Sequence, residues 1–525
     1  MARESFQDEE IASLLNEHFV PVKVDREEYP QVDAIYLLAC EILRGQAGWP
    51  LTVIALPEGW PFFVATYLPK EGKGFHLGLK ELLLAVQKNW LLERQKIQAT
   101  AEEIRKTLQQ IRFLNPAPLD QKFLLEKAFE ELKGRFDRQY GGFGKGPKFP
   151  LPLSLLFLLR YGKKFQKPYA LEIVGETLLK MRYAGLFDQV GFGFHRYTID
   201  RAWKVPHFEK MLYDQGLLLY LYAEGAETLK EPLFCQVAEE IVIYLNEHLF
   251  DPEEKLFYTA ESAESEGQEG LFYTWRLKEL IQILHPTEFE ILKKYFYLRE
   301  EGNYLEEGTG RPSGRNILYP LRRWDPEDKE LVKILQKLKT VREKRPKPTR
   351  DEKILTDWNA IVIAGLAQAG RALGKEEFVE RAVCVFNSLW KKAFSSGRLL
   401  HLPGEKNSPA FLEDYVFLAW ASLELFEATS NLSYLSKFKI LHEQIEELFK
   451  DPSGLYQQIG KDQGPFLIPY FPVFESVLPS GNGLLAYLLG RLNQKEAAEK
   501  IIFAMGGHLK ENPVAFSSFL LALLS

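Results

Sequence analysis

Five stretches of this chain close a helix in the same way. "RFDRQYGGFG", "LFDQVGFGFH", "LFDPEEKLFY", "AFSSGRLLH" and "LFKDPSGLYQ" each carry a phenylalanine, then a turn on Asp, Ser or Gly, then an aromatic or apolar pair. The phenylalanines, Phe136, Phe187, Phe250, Phe394 and Phe449, lie 51, 63, 144 and 55 residues apart. A period of that size fits two helices and a long loop, so the repeat unit is a helical hairpin. The 144-residue gap is expected to hold one further, diverged copy. Six such units can close into a ring with no terminal repeat left exposed. An open helical solenoid is the alternative, although its loops are usually shorter and its period more regular.

The first 75 residues follow different rules. "FQDEEIASLLNEHF" sets Ile11, Leu14, Leu15 and Phe19 at helical spacing. "VPVKVD" alternates as a strand does, "EYPQVDAIYLLACEI" returns to helix, and "GWPLTVIAL" and "PFFVATY" read as neighbouring strands. The implied piece is a small sandwich-like α/β domain, with a cis peptide expected at Trp49-Pro50. Strand signals then nearly vanish. The expected organisation is an α/β domain over residues 1–95, a helical linker over 96–118 and a barrel of helices over 119–525.

Composition narrows the function classes. The chain has 525 residues, 46% hydrophobic and 26% charged, with a net charge of −6 and a pI near 6.0. That is a globular balance with no basic field to hold nucleic acid. The basic run "VREKRPKPTRDEK" reads as a solvated loop. Cys40, Cys235 and Cys384 are remote from one another and form no C-x-x-C, so no disulfide framework or zinc site is expected. No apolar run has the length of a membrane span and no leader pattern is present, so a cytoplasmic location is expected.

In a ring of hairpins all inner helices run the same way, so their N-termini gather at one end. Several helix starts are polar. Pro206 is placed at a first helical position, followed by His207 and Glu209, with Tyr213 and Asp214 further along the same helix. Thr356 can cap "DWNA", bringing Asp357, Trp358 and Asn359. Ser408-Pro409 opens a helix carrying Glu413, Asp414 and Tyr415, and Ser480 opens one carrying Asn482. These groups are expected to converge on one funnel.

Two chemistries suit that funnel. A helix N-terminus disfavours imidazolium, so His207 is expected to have a lowered pKa and to serve as a base. Asp214 would orient or charge-stabilise what the funnel holds. His195 and Arg196 lie on the preceding loop with Trp203 and Lys204, between Gly191, Gly193 and His207. Two histidines fit a proton swap across one carbon, with Arg196 steadying the developing oxyanion. Asp357 with Glu413 or Asp414 would instead suit glycoside hydrolysis, where carboxyls roughly 6.5–9.5 Å apart leave room for water. Lys148, Trp203, Glu209, Tyr213, Asp357, Trp358, Asn359, Tyr415 and Asn482 complete the expected ligand-binding set. The acidic loop "AESAESEGQEGLFYTW" has no histidine and no EF-hand pattern, so neither a metal nor a cofactor is expected. His18, His76, His248, His285, His442 and His508 have no such company and read as ordinary helix or surface residues.

In order along the chain, "RESFQDEEIASLLNEHFVPVKVDREEYPQVDAIY", "QAGWPLTV", "GGFGKGPKFP", "GFHRYTIDRAWKVPHFEKMLYDQ", "EGLFYTW", "LTDWNA", "FLEDYVFLAW" and "PSGNG" resemble the thioredoxin-domain-containing, spermatogenesis-associated protein 20 family. The resemblance implies a truncated thioredoxin-like domain joined to an (α/α)6 toroid, similar to N-acylglucosamine 2-epimerases and six-hairpin glycosidases. It also implies a C-H-W-C-H segment where Met1 stands, and an extension beyond "NPVAFSSFLLALLS". Either the chain begins late or its lineage has discarded those thiols and with them the family's redox chemistry, and lone Cys40 is expected to be buried.

Three functions follow as expectations. Foremost is a sugar epimerase or isomerase using histidines on a sugar-like small molecule. A carboxylate glycosidase is the second. The third is a redox or interaction module that docks a protein partner through the incomplete sheet, at an apolar patch around Trp60 and Phe62.

Overall fold

A computed structural model describes residues 2–72, 77–111, 113–305, 310–324, 328–395, 397–475 and 477–525. His76 lies outside them. The chain divides into two compact units, one of residues 1–114 with 457–471 and one of residues 115–456 with 472–525.

The first unit holds α1 (Glu9–His18), α2 (Pro30–Arg44), strands β1 (Thr52–Ala55) and β2 (Pro61–Ala65), α3 (Leu79–Leu92) and α4 (Arg94–Gln109). The strands pair antiparallel with Val53 opposite Val64 and Ile54 opposite Phe63. Period-2 alternation sends these pairs to opposite faces. Val53 and Val64 pack with Ile35, Ala39, Cys40, Ile104 and Leu108 of α2 and α4. Ile54 and Phe63 pack with Ile11, Leu79, Leu82 and Leu83 of α1 and α3. The segment read as a helical linker thus supplies α4 to this core, because Ile97, Ala101, Ile104 and Leu108 form one apolar face.

"VPVKVD" forms no strand, and Val20 and Val22 are 89% and 76% exposed. Trp60 packs half-buried against the core instead of forming an exposed patch. Cys40 is buried, which holds its thiol pKa above the ordinary value. The Trp49-Pro50 bond is cis.

The second unit is the ring of hairpins. It opens with α5 (Gln121–Arg135), α6 (Pro152–Lys164), α7 (Pro168–Arg182) and α8 (Leu212–Leu229), and α6 packs on α7. After α9 (Pro232–Tyr244) come α10 (Leu277–Ile283), α11 (Pro286–Tyr295) and α12 (Lys329–Arg342), and then α13 (Thr356–Leu373). The round closes with α14 (Glu376–Ala393) and α15 (Leu412–Thr429), α16 (Leu432–Leu448) and α17 (Gly481–Arg491), and α18 (Lys495–Ala504) and α19 (Gly506–Glu511) before α20 (Ser517–Leu524). α6, α8, α13, α15, α17 and α20 touch in that order, and α20 returns to α6. They are buried nearly all round, as inner helices must be. The result is an (α/α)6 toroid. The 144-residue gap therefore holds no sixth copy. It holds one hairpin, α13 with α14, preceded by an insertion, α10–α12, around its own core of Trp275, Leu280, Leu292, Phe296 and Leu331. The sixth pair closes the ring, with α20 packed on α5 from the start of this unit.

The repeated loops have a common build. Phe187 bridges Phe194, Phe250 pairs with Phe257, and Lys450 bridges Tyr456. An amide from the first turn of the next inner helix clamps each hairpin. Gln215 accepts from the Phe194 N–H at 2.9 Å and donates to its carbonyl at 2.7 Å. Asn359 does the same to Phe257 at 2.8 and 2.9 Å, and Asn482 to Tyr456 at 2.8 and 2.9 Å. The Leu399 N–H donates to the Tyr415 hydroxyl at the equivalent place. Asn359, Asn482 and Tyr415 are thus spent on fixing loops, which corrects their reading as ligand-binding groups. Gly193 shows why the turn needs glycine: at φ 74° a Cβ would meet the Tyr244 ring at 2.7 Å.

Candidate active site

The N-terminal ends of α13 and α15 bring four titratable groups together. Asp414 sits in the first turn of α15 and accepts from the Phe411 N–H at 2.8 Å, so this helix begins at Leu412 rather than at Ser408-Pro409. The same carboxylate accepts from the Asp357 N–H at 3.1 Å, and its two oxygens lie 2.9 and 3.0 Å from His401 Nδ1. Thr356 is the first residue of α13, not its cap, and its hydroxyl donates to the Leu400 carbonyl. Asp414 is thereby fully bonded, and it ties two inner helices to the loop that carries His401.

Its neighbours are not satisfied in the same way. Burial raises the Asp357 pKa to about 7, with the Asp414 charge adding to it and His401 opposing. Burial also lifts Glu413 to about 8, reinforced by Asp414 and Asp357. Glu413 is half-buried, yet its Oε2 is shielded and has no hydrogen-bond partner. Trp358 packs edge-on against Tyr213 at 4.7 Å. One ligand atom each from Asp357, His401 and Asp414 lies within 4.8 Å of the others, close enough to share an ion.

Asp214, in the first turn of α8, has its pKa raised well above the ordinary value by burial, against the pull of Arg196. Its Oδ2 has no partner. Glu475, pushed by burial to about 7, accepts from the Ser517 N–H at 2.7 Å. Asp214 and Glu475 share a water-sized hollow of about 40 Å³ with Ser154 and Ser517.

The histidine site does not assemble as expected. Pro206–His207 is a two-residue strand paired with Tyr197–Thr198, and the helix begins only at Leu212. Glu209 consequently precedes the helix. Burial pulls the His207 pKa down, but the hydrogen bond from Nδ1 to Glu269 at 2.7 Å and the charges of Glu269 and Glu209 outweigh it. The net shift is upward. His195 is 2% exposed, packed edge-on against Phe208 and Tyr273, and pushed down to about 3 by burial and by Lys210. Its Nδ1 is bonded to the Phe208 carbonyl at 2.9 Å.

Lys148 is fully buried on Asp137 at 2.7 Å, and Trp203 is buried with its indole N–H on the Tyr140 carbonyl. Both brace loops. What remains accessible at this end is a rim of His207, Glu269 and the Arg196–Glu209 pair at 3.0 Å, beside the stacked rings of Phe149 and Tyr197.

His401, Glu269 and Glu475 were not singled out by the sequence. His401 lies in one of the repeated loops, thirteen residues before Asp414, and that spacing is its only signal.

A family profile described as Thioredox_DsbH, a protein of unknown function, DUF255, matches residues 1–109. The chain is 33% identical to spermatogenesis-associated protein 20 of Mus musculus over 86% of its length and 63% of that protein's. To the Homo sapiens protein it is 34% identical over 86% and 64%. The chain thus spans just under two thirds of these relatives. Among solved structures, cellobiose 2-epimerase from Bacillus thermoamylovorans B4167 aligns with a TM-score of 0.49 at 9% identity, covering 77% of this chain and 99% of that one.

Proposed function

We propose that the chain, which is similar to spermatogenesis-associated protein 20 over 86% of its length, is an acid–base enzyme acting on a carbohydrate, with carboxyl groups carrying the chemistry. The observation behind this is the pair Asp357 and Glu413. Two carboxyls from neighbouring inner-helix starts have pKa values lifted to about 7 and about 8, beside an Asp414 locked by His401. A carboxyl that stays protonated near neutrality is a competent general acid, and a neighbour poised near pH 7 is a competent base. Glu413 takes the acid role: half-buried and protonated up to about pH 8, it would protonate a glycosidic oxygen. Asp357 takes the base role and would draw the proton from water as it attacks. Asp214 and the Arg196–Glu209 pair offer charged and polar contacts to hydroxyls, and the Tyr197 and Phe149 rings offer flat faces. The histidine proton swap is not supported, since His195 is buried against aromatic rings.

The test is a panel of aryl glycosides and disaccharides assayed with the protein and with Glu413→Gln and Asp357→Asn. Turnover that falls roughly 10²–10⁴-fold in either variant is the expected result. Turnover that survives both substitutions, or ring-epimerised product in place of hydrolysis, would overturn the proposal.

A further inference from the structure

We propose that the opposite end of the toroid is a second, non-catalytic binding site for a neutral, hydroxyl-rich small molecule. A cavity of about 450 Å³ lies there, at the C-terminal ends of the inner helices. That is within the size range of small-molecule sites.

Its lining is polar and already organised. The Arg160 guanidinium makes a two-pronged pair with Glu224, both contacts at 2.7 Å, and also donates to the Tyr487 and Tyr220 hydroxyls at 2.6 and 3.1 Å. The Tyr220 hydroxyl donates to Glu424 beneath the cavity, as does the Trp420 indole N–H at 2.9 Å. Arg491 bridges Glu424 and Glu427, and Arg371 bonds Gln368 and lies 3.6 Å from Glu427. The belt runs from helix to helix around the axis, so its donors and acceptors are fixed before any ligand arrives.

Two features decide the ligand class. Each arginine of the belt already has a carboxylate, and the charges left over at the wall, Lys163 and Lys164 against Glu227, are of both signs, so no field of one sign selects a phosphate or an amine. What it offers is an alternation of N–H donors and carboxylate acceptors, and hydroxyl groups satisfy both at once. The raised-pKa carboxyls gather at the other end of the inner helices, so the chemistry here is binding and not catalysis.

Calorimetric titration with mannitol, glucose and cellobiose, beside glucose 6-phosphate and glucosamine, tests the site. The neutral compounds are expected to bind, and Arg371→Ala with Gln368→Ala to weaken them roughly tenfold, about 1.4 kcal/mol. Glu413→Gln should leave this binding intact, so failure of the hydrolase reading is separable from failure here. A Glu424→Gln variant gives a second check with the cavity shape kept, and it should also weaken binding. The proposal is overturned if none of the neutral compounds binds, if the charged ones bind more tightly, or if binding persists unweakened in the Arg371/Gln368 variant.

Discussion

His401 Nδ1 sits within 3.0 Å of both oxygens of Asp414, and the pair is buried. A ring N–H shared between two carboxylate oxygens holds the imidazole in one orientation and steadies the Asp414 carboxylate. His401→Ala would leave Asp414 with a lost partner in a buried setting, at a cost of about 1–3 kcal/mol. It would also remove the group that opposes the rise of Asp357 and Glu413, so both pKa values should climb further. Urea denaturation measures the cost, and carbon-13 titration of the Glu413 carboxyl measures the climb. An unmoved Glu413 titration would show that His401 does not act on it.

The pH dependence of stability carries its own signature. Glu413, Asp357 and Glu475 all titrate above their ordinary range, at about 8, 7 and 7. Between that range and pH 8 the native state holds more protons than the unfolded chain, so their stabilising contribution is complete at low pH and is lost as pH rises through the folded values. Thermal unfolding should therefore show a decline in stability from about pH 5 to pH 8. Glu413→Gln cannot ionise and should flatten the upper part of that decline. The same slope in both proteins would remove Glu413 as its source.

How far the residues foretell this arrangement depends on whether the interaction is local. Repeated Phe-turn-aromatic segments specify hairpins, and the hairpins specify the ring, because each loop is fixed by bonds within a few residues and by one amide from the next helix. Asp357, Glu413 and Asp414 were legible as a cluster for the same reason: polar first turns of parallel helices must gather. His207 was misplaced because "VPHFEKM" pairs as short strands with Tyr197–Thr198 and Ala260–Glu261, contacts made across the fold that overrule the proline-first helix signal. Glu269 lies 62 residues from His207 in sequence, and no local pattern announces it. The insertion at α10–α12 was likewise masked, since a helical insert has the same periodicity as a diverged repeat.

Asp188 anchors the repeated loop before α8 by two buried pairs. One oxygen lies 2.8 Å from Arg342 and the other 2.9 Å from Lys210. Arg342 begins the basic run that reads as a solvated loop, yet it is 1% exposed, because its charge is matched in the interior. Asp188→Asn would take from two buried cations the carboxylate they are paired with, and removing one partner from such a pair costs about 3–5 kcal/mol. Chemical denaturation should show that loss. Arg342→Met together with Lys210→Met and Asp188→Leu should be far milder, since no charge then remains unpaired.

The tie between His207 and Glu269 joins the paired strands before α8 to the acidic loop "AESAESEGQEG". Burial alone would pull the imidazole down, so the upward shift belongs to Glu269, with Glu209 contributing. Glu269→Gln keeps the size of the side chain and removes its charge, and proton NMR titration of His207 should then move from above the ordinary histidine value toward or below it. The linked stability runs in the same sense. The His207–Glu269 pair stabilises fully below the unfolded histidine pKa and loses that contribution as pH rises through the folded one. The substitution should consequently destabilise the protein at about pH 5–6 and leave it nearly unchanged above about pH 8. A destabilisation of equal size at both ends would mean that Glu269 acts through packing and not through charge.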